Sequence, residues 1–129
     1  MNNTETNYYQ FCTDWLNAWT GNKPNDLLSY YTADAFYSDP ANPAGLKGQA
    51  QMQPYFEKLL SKNPDWKWEV AELFNTAKGF TLKWKASIPV NGKQLFLHGL
   101  DIVELEGNQI SRNEVYFDRV PWLQLAGGK

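Results

Sequence analysis

Apolar residues recur at helical spacing through the first half of the chain and at every second position through much of the rest. Tyr8, Phe11, Cys12, Trp15, Leu16 and Trp19 follow one another at alternating steps of three and one. That places them on one stripe of a helix over about residues 6–20. Gly21-Asn22 ends it, because glycine readily takes the left-handed conformation on which helices stop. A short second helix over residues 26–31 follows Pro24, which suits a first turn. Residues 35–39 read as a short strand stopped by Pro40. Residues 40–47 hold two prolines and a glycine and read as a loop. A third helix over residues 49–62 carries Met52, Tyr55, Phe56, Leu59 and Leu60 on one face. Pro54 breaks that pattern unless it lies within the first turn.

Four longer strands follow, over residues 66–76, 80–88, 94–105 and 109–119. In the second, Phe80, Leu82, Trp84, Ala86 and Ile88 alternate with Thr81, Lys83, Lys85 and Ser87, the pattern of a strand with one buried face. Asn91-Gly92 is a strong hairpin signal between the second and third. Glu106-Gly107-Asn108 makes the next turn. Strands joined by tight turns form an antiparallel meander. With about three helices before it, the class is α+β, the helices lying on one face of the sheet. The tail, residues 126–129, reads as loose.

Composition narrows the function. Six Trp, seven Tyr and seven Phe make an aromatic-rich chain, suited to a large core, an apolar pocket or a subunit interface. A length of 129 residues fits a single domain over residues 1–129. The net charge of −2 and the absence of a basic stripe argue against nucleic acid as a partner. No stretch is long and apolar enough to suggest a membrane span. One cysteine cannot form an internal disulfide, and the polar N-terminus does not read as a secretory signal, so a cytoplasmic protein is expected. A single His and a single Cys argue against zinc, and no motif calls for another cofactor or metal.

Asp101 is the most informative position. One face of its strand carries Leu95, Leu97, Gly99, Asp101, Val103 and Leu105. The other carries Gln94, Phe96, His98, Leu100, Ile102 and Glu104. The first face is apolar apart from Asp101 and should point at the helices. A carboxyl placed there either finds a buried donor or keeps its proton and can itself donate. Such perturbed groups gather at functional sites. Asp39 stands before Pro40, which holds it extended and aims its side chain, although Asp-Pro also starts ordinary turns. On the last strand Ser111, Asn113, Val115 and Phe117 share one parity and should face a pocket, with Asn113 its polar member. Cys12, Trp15 and Trp19 fit core packing, and His98 a surface or interface.

The order of elements, with residues 30–40 ending in Ser38-Asp39-Pro40, Leu46-Lys47-Gly48 opening the third helix, and Gly99-Leu100-Asp101 running to Gly107, resembles the nuclear transport factor 2-like superfamily. That superfamily includes the ketosteroid isomerases and the SnoaL-like polyketide cyclases. The resemblance implies a cone-shaped half-barrel, its curved sheet wrapped on the helices, and a homodimer through the sheet's outer face. It implies a small apolar molecule as ligand. By resemblance to the isomerases, Asp39 would be the base that removes a proton beside a carbonyl. Asp101 would be the protonated donor to the enolate oxygen, a pairing known as a general example of pKa tuning. The isomerases' first-helix phenol falls near Asp14 or Trp15, and Trp15 can still donate through its indole. Their third-helix phenol falls at Phe56, while Tyr31 keeps another. The expected pocket is lined by Trp15, Trp19, Tyr31, Phe56, Trp84, Asn113, Val115 and Phe117 around the two acids. Limonene epoxide hydrolases share the fold but use an Asp-Arg-Asp cluster, and strand parity gives no inward Arg here. A non-catalytic ligand-binding or dimerisation module of the same fold is the alternative.

Overall fold

A computed structural model describes residues 7–127. Its elements run α1 (Tyr9–Asn17), α2 (Pro24–Leu28), β1 (Tyr31–Asp39), β2 (Asn42–Lys47), α3 (Gln49–Lys62), β3 (Lys67–Asn75), β4 (Gly79–Val90), β5 (Lys93–Glu106), β6 (Gln109–Tyr116) and α4 (Val120–Gly127). The predicted first-helix start at Thr6 lies outside the described residues, as do residues 128 and 129 of the tail; residues 126 and 127, expected to be loose, belong to α4.

The strands form one six-stranded sheet in the order β2-β1-β6-β5-β4-β3. It curves over the helices without closing, and the fold is an α+β half-barrel. Strands β3 to β6 are the antiparallel meander that the alternation predicts. Asn91 and Gly92 both take positive φ, 51° and 78°, which a tight hairpin turn demands of its two central residues. Strand β1 adds itself parallel to β6, and β2 then folds back on β1.

Four expectations are corrected. Residues 40–47 are not all loop: Pro40 and Ala41 turn, and β2 follows. Pro43 is tolerated because β2 is an edge strand, where a missing N–H faces no neighbour. The second helix stops at Leu28, and Tyr31 already belongs to β1. The last strand ends at Tyr116, after which the chain forms α4, a helix the apolar pattern did not predict. Its entry is capped by Asp118, whose Oδ1 accepts the Val120 N–H at 2.9 Å. Finally, Pro54 lies inside α3 rather than in its first turn. Its position and that of Ala50, the carbonyl it cannot reach, are both exposed. Burial of Met52, Phe56 and Leu60 on the other side holds the helix through the gap.

The core fills the space between the layers. Trp15, Phe56, Phe80, Leu82, Val103 and Ile110 are fully buried or nearly so. The inward parity of β4 and β5 is as read from the sequence: Phe80, Leu82, Trp84, Ala86 and Ile88 are all buried, and so are Leu97, Gly99, Asp101 and Val103. His98 is exposed on the outer face. Among the described residues no helix is long and apolar enough to cross a membrane.

Candidate functional site

A cavity of about 360 Å³ opens between the inner face of the sheet and α1, α3 and α4. Its walls are chiefly aromatic, with Trp19, Trp66, Trp68, Trp84, Phe117 and Trp122 prominent. They brace one another edge to face. Trp68 stands at 81° to Trp84 with centroids 4.8 Å apart, and Trp66 at 89° to Trp122 at 5.9 Å. The last contact ties α4 across the cavity mouth.

Asp101 reaches the cavity from β5 and is 4% exposed. Trp84 Nε1–H donates to its Oδ1 at 2.7 Å, and Asn113 Nδ2–H to its Oδ2 at 3.1 Å. Both donors stand on neighbouring strands and point inward by parity. The amide of Asn113 is held in turn: Tyr31 Oη–H donates to its Oδ1 at 2.8 Å, and Trp15 Nε1–H donates to Tyr31 Oη at 3.3 Å. The chain from α1 to β5 is therefore indole, phenol, amide, carboxyl. Burial pushes the Asp101 carboxyl up from 3.8 to about 7, against the two hydrogen bonds, which favour its charged form; the charge of Asp39 pushes upward too. At neutral pH the group can hold a proton to donate or lose one.

Asp39 also lines the cavity, 8% exposed. Its Oδ1 accepts the backbone N–H of Ala41 at 3.0 Å and of Asn42 at 2.8 Å, with Asn42 Nδ2–H at 3.1 Å. Its Oδ2 accepts Tyr37 Oη–H at 2.7 Å and Tyr55 Oη–H at 2.5 Å. Asp39 thus both caps the β1–β2 turn and faces the ligand space. Five donors occupy a carboxylate that offers about four lone pairs. Burial, first among the causes, raises both phenols well above their ordinary range, so each remains a donor.

The structure sorts the predicted residues into two shells. Asp39, Asp101, Trp19, Trp84, Val115 and Phe117 line the cavity. Trp15, Tyr31, Phe56 and Asn113 do not; they are fully buried behind it. The reason is depth: Trp15 meets Tyr31 and Phe80, Phe56 packs on Tyr31, and Tyr31 bonds Asn113, so the four side chains fill the space against one another. The phenol that α3 brings to the cavity is Tyr55, next to Phe56, and its Oη–H donates to Asp39. An arginine does line the cavity, where none was expected: Arg119 lies past the end of β6 but keeps the parity of Val115 and Phe117, so the alternation of the predicted strand already pointed it inward. The residues missed by sequence, Trp66, Trp68, Tyr37, Tyr55 and Trp122, come from the segment entering β3, β3 itself, β1, α3 and α4. Only the density of Trp hinted at them.

A model of the SnoaL-like domain matches residues 12–113. The sequence has no significant match among curated proteins. Solved structures share the architecture. A hypothetical protein with a ketosteroid isomerase-like fold from Catenulispora acidiphila, in complex with trimethylamine, is 20% identical, covers 92% of each chain and gives a TM-score of 0.79. A putative polyketide cyclase from Acidithiobacillus ferrooxidans is 17% identical over 98% of this chain and 100% of its own, TM-score 0.77. A putative SnoaL-like polyketide cyclase from Jannaschia sp. CCS1 is 9% identical over 98% and 99%, TM-score 0.77. At such identities these neighbours speak for the fold. The family model covers most of the chain, and the chain belongs to the SnoaL-like domain family of the nuclear transport factor 2-like superfamily.

Proposed function

We propose that the cavity binds a small apolar carbonyl compound and moves a proton beside its carbonyl, in the manner of an isomerase or cyclase. The observation that carries this reading is Asp101: a buried carboxyl on the cavity wall, oriented through both oxygens, with a pKa of about 7. A group balanced near the working pH serves well as acid or base. Protonated, Asp101 donates to the oxygen of a developing enolate, and its own burial strengthens that bond. Asp39 takes the α-proton. Because all its lone pairs are in use, it can do so only as one donor yields. Tyr55 is the candidate, since it lines the cavity and its hydroxyl can turn toward the ligand. The putative cyclases of the same fold are consistent with such chemistry.

The same saturation of Asp39 favours a second reading, in which the acid only holds its turn and the cavity binds a ligand without reaction. One experiment separates them. Deuterium uptake into cyclic ketones in heavy water is followed by mass spectrometry for the wild type, Asp39→Asn and Asp101→Ala. The Asp39→Asn side chain keeps an oxygen for the turn, so the fold is retained. Exchange that collapses in both variants supports proton transfer by both acids. Exchange that survives in Asp39→Asn removes Asp39 as the base, and no exchange with any ketone leaves the binding reading.

A further inference from the structure

The cavity's mouth is cationic, which the proposed chemistry does not use. On α3, Tyr55, Lys58, Leu59 and Lys62 follow at three, four and seven residues, one stripe, and all four line the cavity. Arg119 lines it from the entry to α4. Its backbone is fixed there by Leu123, whose N–H donates to the Arg119 carbonyl at 2.8 Å. Its charge is close enough to oppose the rise in the Tyr55 pKa. Among the described residues the ion pairs all use Lys83, Lys85 or Arg112, on the sheet. None involves Lys58, Lys62 or Arg119. The two acids of the cavity do not answer them by contact either. Asp39 is occupied by its five donors and Asp101 by its two. Asp118, the nearest acid in sequence to Arg119, caps α4.

Two lysines four apart on a helix repel each other, and a guanidinium at the same opening adds to this. In a chain of net charge −2, three cations gathered at one mouth above aromatic walls are placed against the overall balance. An anion between them would relieve that repulsion, and a guanidinium can grip a carboxylate through two parallel N–H bonds.

We propose that the ligand is a ring-bearing molecule with one anionic group, its rings between the tryptophans and its anion held at the mouth by Arg119, with Lys58 and Lys62 adding charge. This rests on the reading of the cavity as a ligand site and names the class of molecule it takes. The polar end of the ligand is thereby fixed outward, which directs its opposite end toward Asp101.

The test compares 2-naphthoate with 2-acetylnaphthalene, a neutral ketone of nearly the same shape, by ligand-observed NMR titration. In the wild type the naphthoate should bind about tenfold tighter, the size of one charge-assisted hydrogen bond at a half-open site. The ratio should fall toward one in Arg119→Gln combined with Lys58→Gln and Lys62→Gln, and as salt is raised. A ratio near one in the wild type, or a ratio unmoved by the three substitutions, overturns the proposal. The exchangeable methyl protons of 2-acetylnaphthalene read the other question in the same tube. A preference for the naphthoate without exchange of the ketone removes proton transfer and keeps the anion site. Failure of both probes to bind overturns the site and the reading it rests on.

Discussion

Trp84 lies flat over Gly99, its cross-strand partner, and so delivers its indole N–H to Asp101 two residues further along the same face. A β-carbon at Gly99 would fall 2.1 Å from Trp84 Cζ2, far inside contact distance. The glycine is therefore what permits the hydrogen bond. Gly99→Ala should displace the ring and cost about 1–3 kcal/mol, as overpacking does. Urea denaturation checks this. In a Trp84→Leu background the cost should shrink by more than about 1 kcal/mol, because the two sites are coupled. Equal costs in both backgrounds would show that the ring is not what the β-carbon meets.

Asp101 should make stability fall with pH. The folded carboxyl keeps its proton up to about 7, whereas the ordinary group releases it near 3.8. Between these values the folded state binds more protons than the unfolded, so stability decreases as pH rises through the window and levels off above it. A tenfold change in proton affinity is about 1.4 kcal/mol, so the fall is on the order of a few kcal/mol. Asp101→Asn, whose amide opposes one of the two donors, should be less stable at acid pH. The gap between it and the wild type should narrow by several degrees of Tm between pH 5 and pH 8. A constant gap would refute the assignment.

The same titration reaches activity with the same sign. A donor that loses its proton near pH 7 should let ketone exchange fall above neutrality. Asp101→Asn retains a donor that does not titrate, and whatever exchange it supports should not show that fall. Parallel profiles would mean that another group sets the pH dependence.

Tyr31→Phe removes one oxygen and leaves two buried partners, Trp15 Nε1 and Asn113 Oδ1, without a hydrogen bond. It should cost about 2–4 kcal/mol, since an orphaned buried group loses its full solvation. Tyr55→Phe removes one donor of five from Asp39 at the half-buried edge of the cavity and should cost about 1 kcal/mol. Thermal and urea melts of the two variants give the order. The reverse order would show that the Asp39 cluster, not the chain behind Asp101, anchors the layers.

The parts that strand periodicity governs were legible in the sequence. Alternation along β4 and β5 places Trp84 and Asp101 inward, and the parity of β6 places Asn113 beside them. Depth was not legible: Trp15, Tyr31 and Phe56 have the right faces, but periodicity cannot say whether a side chain ends at a cavity or against a neighbour. Nor could it reach residues outside regular alternation. The β1–β2 hairpin hid behind Pro43 and Gly45, and Trp122 stands on α4, beyond the last strand; Arg119, by contrast, keeps the inward parity of Val115 and Phe117 and was within reach of the same count. Tyr55 and Phe56 are adjacent on one helix, and only the packed angle of α3 decides which meets Asp39.

The family match stops at residue 113, but the cavity wall does not. Both acids and the braced chain behind Asp101 lie within the matched region, whereas Val115, Phe117, Arg119 and Trp122 come after it. The two acids and the α3 lysines are therefore carried on one stretch of the chain, and the wall that faces Asp101 from β6 and α4 on another. Grafting the segment after Asn113 between members would exchange Arg119, Trp122 and the partners of Asp101 and Trp84 in one step, while both acids stay in place.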